Sequence, residues 1–278
     1  MRSLVIAIAL IAPAAAGAGE LPVSSAVPGG VVLLPLEGHG TPQAFLGKDR
    51  VLVVPDGERW QAVVGIPLDA APGEHHLSVQ WPDEPKHQVG FSVTTKDYPV
   101  QRLTIPDDRK VNPTQQDLDR IWREQRISRE AIARWSERRP DLDFIAPVDG
   151  RFSSTFGLRR ILNEQPRSPH RGMDIAAPEG TPVRAAAAGK VEYVGDFFFS
   201  GNVVYVDHGE GVHTLYAHLA QVDVRAGQEL AKGEVLGKVG KTGRATGPHL
   251  HWSVYLNTEA VDPALFIPER VMASAPER

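Results

Sequence analysis

The sequence predicts a mainly β protein: an N-terminal β-sandwich, a short helical linker and a second β-rich region. Three observations carry this. Up to about residue 100, short runs rich in Val, Leu and Ile alternate with turn formers such as Gly38-His39-Gly40, Asp56-Gly57, Pro72-Gly73 and Pro82-Asp83. Helical spacing with capping residues is confined to a middle stretch, and from Pro147 onward apolar runs punctuated by Gly, Asn and Asp return.

In order along the chain, Val31 to Leu36, Val51 to Val54, Ala62 to Ile66, His76 to Trp81 and Val89 to Val93 are expected strands of a sandwich over residues 19–100. His75 and His76 are adjacent, so on a strand they point to opposite faces, and both are expected to be surface residues. Residues 101–146 are expected to be a linker with one or two helices. Asn112-Pro113-Thr114 offers capping residues and a first-turn Pro, and Leu118, Ile121 and Trp122 then share a helical face. A second stretch follows, with Ser128 as a candidate cap and Ile132 and Trp135 on one side, and stops before Pro140. Arg120, Arg123, Arg126 and Arg129 are interleaved with Asp119, Glu124 and Glu130, the pattern of a solvated face. In residues 147–278 the expected strands are Asn202 to His208, Val212 to His218, Val222 to Val224, Val235 to Val239 and His249 to Tyr255. Gly209-Glu210-Gly211 between the first two marks a hairpin. Phe156 to Pro169 and Asp196 to Gly201 are expected to be long loops.

Residues 1–18 predict a secretory signal peptide: Arg2, a short apolar run from Leu4 to Ile11, and small residues at Ala14, Ala16 and Ala18. The run is shorter than the roughly 20 apolar residues of a membrane span, so the expected location is periplasmic or secreted, with no integral membrane segment. Thirty Lys and Arg against 34 Asp and Glu give a net charge of -4, which supplies no global field for nucleic acid or anionic lipid. The 278 residues include no Cys, which excludes disulfides, thiolate zinc sites and thiol nucleophiles. Metal or acid-base chemistry therefore falls to histidine and carboxylate.

Six of the ten histidines lie after residue 147. On a strand His249 and His251 project from one face, about 7 Å apart over two strand steps, with Leu250 and Trp252 on the other. His170 and Asp174 stand four residues apart in a Gly-containing turn. Two His and one carboxylate suit a catalytic zinc, because three ligands leave the fourth tetrahedral position for water. His170, Asp174 and one histidine of the pair complete such a set, leaving the other, with His218, for proton transfer. The same donor types also serve a non-haem iron triad. His208 and His213, near the hairpin turn, are expected to be structural or surface residues.

His170-x-x-x-Asp174, Tyr216-Ala217-His218-Leu219 and Gly247-Pro248-His249-Leu250-His251, with Gly-Thr-Pro-Val at 180–183, resemble the lysostaphin-type zinc metallopeptidases that cut peptidoglycan peptides. The resemblance covers roughly residues 145–266. It implies an antiparallel β-barrel-like sheet (a duplicated hybrid motif) crossed by a groove, with one zinc ion per chain on His170, Asp174 and His251. His218 and His249 fall on the catalytic positions. It further implies a secreted endopeptidase acting on peptidoglycan, or, as the alternative, a non-catalytic cell-wall-binding or hydrolase-activating protein. A divisome or cell-wall regulatory partner is compatible with it, but no residue pattern specifies one. Arg159 and Asn163 lie in a segment similar to one bordering the family's groove, where holding substrate and forming a solvated loop are equally weighted expectations.

Overall fold

The structure is a computed structural model that describes residues 22–268. The expected signal peptide lies outside them. The N-terminal strands are β1 (Val31–Leu36), β2 (Gln43–Leu46), β3 (Asp49–Asp56), β4 (Arg59–Gly65), β5 (Gly73–Gln80) and β6 (His87–Val93). They pair in the order β1-β4-β3-β2-β5-β6, every pair antiparallel. Five of them cover the predicted runs. The sequence reading missed β2, whose single buried residue, Ala44, gives almost no apolar signal. Val32, Val51 and Val64 share an inner core with Leu77, Val79 and Trp81 of β5 and its following residue. The alternate residues Val31, Leu52, Val54 and Val63 face the other way and join the core of the C-terminal region. Both faces of β4 are thus buried, which explains its unbroken Ala62-Val63-Val64 run. Asn257 stitches the same contact, accepting from the Gly65 backbone N–H at 2.7 Å and donating to the Gly65 carbonyl at 3.0 Å.

Next come β7 (Val100–Leu103) and one helix, α1 (Gln115–Ile132). Thr114 caps α1 and Asp117 returns the bond to the Thr114 backbone, a reciprocal box that satisfies two orphan N–H groups. Among the described residues the linker has one α-helix, within the expected one or two, and the stretch from Ser128 is not a separate element. Ser128 lies inside α1, where its hydroxyl shares a 2.7 Å hydrogen bond with the Tyr205 phenol instead of capping. Ile121 is buried but Trp122 is 56% exposed, so the predicted shared face holds only in part. Arg120 pairs with Glu124 at 2.5 Å and Asp196 at 2.9 Å, in keeping with an ion-paired surface. The rest of the expected linker is packed onto its neighbours. Phe144 is fully buried, with ring centroids 5.2 Å from Phe266 and 5.4 Å from His208.

The C-terminal strands are β8 (Arg151–Ser154), β9 (Arg159–Leu162), β10 (Gln165–Arg167), β11 (Met173–Ala176), β12 (Pro182–Arg184), β13 (Gly189–Phe197), β14 (Gly201–Gly209), β15 (Val212–Leu219), β16 (Gln221–Val222), β17 (Glu229–Leu230), β18 (Val235–Lys238), β19 (His249–Leu256) and β20 (Glu259–Val261). Eight of them form a nearly closed, barrel-like antiparallel sheet in the order β17-β13-β14-β15-β19-β11-β8, with β20 beside β19. The β14–β15 hairpin turns through Glu210 and Gly211, both at positive φ, as a two-residue primed turn requires. The expected long loop at Phe156 to Pro169 instead contains the β9–β10 hairpin. Its turn residues, Asn163 and Glu164, are also both at positive φ, and the polar flanks concealed the pairing. β9 also pairs with β7 in parallel, matching Gln101 with Arg160, so the linker forms part of the C-terminal structure. Among the described residues no helix is long and apolar enough to cross a membrane.

Candidate metal centre

The register of three neighbouring strands assembles the site. β19 lies between β11 and β15, pairing Asp174 with His251 on one side and Ala217 with His251 on the other, and His218 follows directly. His170 precedes β11 and is held by the β8–β9 connection: its N–H donates to the Leu158 carbonyl and its own carbonyl accepts from Gly157. Gly172, between His170 and Asp174, has no room for a side chain. A Cβ there would lie 2.6 Å from the His251 ring and from the Ser253 hydroxyl.

All five predicted residues surround one point. His170 Nε2, Asp174 Oδ1 and His251 Nδ1 lie 2.9 Å from one another, close to the roughly 3.3 Å edge of a tetrahedron with 2.0–2.1 Å bonds. His170 donates through Nδ1 to the Thr155 carbonyl at 2.8 Å, which fixes its tautomer and leaves the Nε2 lone pair facing inward. His251 Nε2 is 3.0 Å from the Ser253 hydroxyl, so its Nδ1 faces inward too. Three electron-pair donors pressed together in a buried site, two nitrogen and one oxygen, fit a cation of borderline softness such as zinc.

His218 and His249 stand beside this trio with ring centroids 4.7 Å apart. Each donates through Nδ1 to a backbone carbonyl at 2.8 Å, His218 to Thr242 and His249 to Gly247, so both Nε2 atoms remain acceptors. His249 Nε2 is 3.8 Å from Asp174 Oδ1. Burial, reinforced by His249 and His251, pushes the His218 imidazole down to about 3, which keeps the ring neutral at pH 7. Its backbone is at φ 62°, a conformation that costs a non-glycine residue energy and is typical of functional sites. Burial also lowers His251, to about 4, against the opposing pull of Asp174. Desolvation would raise the Asp174 carboxyl, but the His170 and His251 rings beside it outweigh this and hold the group well below the usual carboxylate range.

Asp174, His218 and His249 line a cleft of about 310 Å³. Its lining includes Arg160 and Arg244, which the sequence reading did not single out, and Gln101 from the linker strand. No local pattern marks these residues, which meet only through the β7–β9 pairing and the turn before β19. Arg159 and Asn163 have other tasks. Arg159 Nε donates to the Tyr98 carbonyl at 3.0 Å, just before the linker, and the Asn163 side chain clamps the linker by bonding both backbone groups of Ile105. His75 bonds the Ala71 carbonyl and stacks on Phe91, while His76 is exposed.

Residues 168–263 match peptidase family M23, and residues 24–96 match the family's N-terminal domain. A crystal structure of a peptidase M23 protein from Pseudomonas aeruginosa superposes with a TM-score of 0.74 and 44% identity, over 87% of this chain and 95% of that one. The chain belongs to peptidase family M23. The DD-carboxypeptidase/endopeptidase Mpg of Neisseria meningitidis serogroup B is 45% identical to this M23 chain over 126 residues, 44% of this chain and 29% of its own length. The peptidoglycan DD-endopeptidase ShyA of Vibrio cholerae is 40% identical over 119 residues, 42% of this chain and 28% of its own. This chain therefore spans less than a third of these two curated relatives.

His208 and His213 are both buried, and neither belongs to the His170, Asp174 and His251 group. His208 donates to the Ala188 carbonyl at 2.9 Å and meets the Thr214 hydroxyl at 2.8 Å, a structural role. Burial lowers its imidazole to about 4, below the ordinary 6.5. The unfolded chain then binds a proton that the folded one refuses. Stability is expected to be level above about pH 6.5 and to fall as the pH drops toward 4, by about 3 kcal/mol from this ring. Urea midpoints at pH 7.5 and 4.5 check this: His208→Gln should show a smaller acid loss than the parent, and equal losses would remove His208 as the cause.

Proposed function

We propose that the protein is a secreted zinc metalloendopeptidase that hydrolyses peptide cross-links of bacterial peptidoglycan. The observation that carries this is the convergence of His170, Asp174 and His251, with two further imidazoles whose Nε2 lone pairs face the same open cleft. The naming of ShyA as a peptidoglycan DD-endopeptidase supports the substrate class, and that of Mpg as a DD-carboxypeptidase/endopeptidase supports the bond type. In this proposal His170 Nε2, Asp174 Oδ1 and His251 Nδ1 hold one zinc ion, while residues 19–100, 101–146 and 147–278 form the sandwich, linker and peptidase domain. Bound there, zinc would supply Lewis acidity and a water of lowered pKa.

The chain's own residues supply the rest. His218 and His249 are set by the Thr242 and Gly247 carbonyls to accept a proton at Nε2 and return it to the leaving amine. The same N–H, once formed, stabilises charge developing on the attacked carbonyl oxygen. Arg160 Nη2, 3.3 Å from Asp174 Oδ2, holds the carboxylate by the oxygen that faces away from the trio.

Metal analysis with digestion of purified peptidoglycan tests the proposal. One zinc per chain and release of soluble muropeptides, lost with chelator and regained with zinc, are expected. A zinc-loaded protein that releases nothing would favour a non-catalytic cell-wall-binding or hydrolase-activating role.

A further inference from the structure

The cleft has a charge imbalance that metal binding does not explain. Its lining contains two guanidinium groups, Arg160 on β9 and Arg244 in the turn before β19, but one carboxylate, Asp174. Arg160 touches Asp174 only through Nη2 at 3.3 Å. Arg244 has no carboxylate within 4.0 Å among the described residues, although it is partly buried. It is nonetheless held in place: Nη1 donates to the Lys110 carbonyl at 3.2 Å, and the guanidinium lies 4.3 Å from the centre of the Phe199 ring. Burial, then Arg160 and Arg167, lower its pKa to about 10, the mark of a cation without a counter-charge. A desolvated, oriented and unpaired guanidinium is costly to maintain, and an arriving anion would relieve that cost. A planar fork on a stacked ring suits a carboxylate in particular.

We propose that Arg244, with Arg160, forms an anion subsite that takes a free carboxylate of the substrate peptide near the scissile bond. The subsite rests on the peptidase function proposed above. It shares the cleft with His218 and His249, so a peptide placed across them brings its flanking groups to the two guanidinium groups. The carboxylate has two sources in a cross-linked peptide: the residue beside the cleaved bond, or the end of the chain.

Four synthetic cross-linked stem-peptide dimers separate these sources, with carboxylate or carboxamide at each of the two positions in every combination. For the zinc-loaded full chain, a free carboxylate at one position is expected to raise kcat/KM by about 10- to 100-fold, as a charge-assisted contact supplies. The position that matters names the source. In Arg244→Ala that ratio should collapse to within about threefold, and Arg244→Lys should recover part of it. The ratio is the readout, because a general loss of activity moves all four peptides together. Equal rates for all four in the parent would overturn the subsite while leaving the peptidase reading intact. If none is cleaved, the peptidase reading fails and calorimetric binding of the same peptides decides the subsite. Carboxylate-dependent binding lost in Arg244→Ala upholds it, and equal binding overturns it.

Discussion

His249→Ala and His218→Ala are each expected to lower kcat by about 10² to 10⁴ while the purified protein keeps its full metal content. His251→Ala and His170→Ala are expected to lose the metal itself. The distinction follows from where each ring's free nitrogen lies. His170 Nε2 and His251 Nδ1 are both 2.9 Å from Asp174 Oδ1, whereas His249 Nε2 stands off at 3.8 Å. His218 is anchored to Thr242 on the adjoining turn and reaches the site edge-on, its centroid 6.0 Å from that of His251. Removing a ring from the trio leaves two donors, too few for tight binding, and leaves Asp174 Oδ1 with one close imidazole of the trio instead of two. Removing His218 or His249 leaves the trio complete and takes away a proton acceptor. Metal content by plasma mass spectrometry, together with kcat on a cross-linked peptide, checks both halves. Zinc loss in His249→Ala equal to that in His251→Ala would end the assignment.

Phe144→Ala is expected to cost about 3–5 kcal/mol of unfolding free energy, the range for emptying an aromatic site in a closed core. Phe144 lies in the segment that the composition marks as linker. Yet its ring is fully buried among His208, Trp252 and Phe266, and its N–H donates to the Phe266 carbonyl at 3.1 Å. Trp252 is the neighbour of His251 on β19, so the cavity would open behind the strand that carries the metal-facing histidines. Denaturant unfolding should show a lowered midpoint with an unchanged slope. A loss below about 1 kcal/mol would show that the segment docks weakly and is the linker its composition suggests.

Local patterns made much of this legible. Alternation around Gly209-Glu210-Gly211 located the β14–β15 hairpin, because a two-residue primed turn needs positive φ at both central positions and glycine accepts it without strain. The H-x-H spacing put His249 and His251 on one face, because side chains alternate along any strand. The expectations that failed were those in which polar residues had more than one use. Ser128 carries a capping signal, yet within α1 its hydroxyl finds the Tyr205 phenol and the helix runs on. Asn163 and Glu164 look like loop residues, and they are, but the loop is the tip of a hairpin.

By itself the sequence determined the β character, the order of the elements and which residue types are available for chemistry, since these depend on side-chain periodicity and composition within a few residues. Only the tertiary structure decided which of those residues meet. His251 reaches Asp174 across 77 positions through the register of β11 and β19, and Arg160 shares the cleft with Gln101 through a parallel pairing of β7 with β9 that leaves no local trace. The physical reason is that such contacts are set by strand register, and register depends on the burial of whole faces, which no short window of sequence contains.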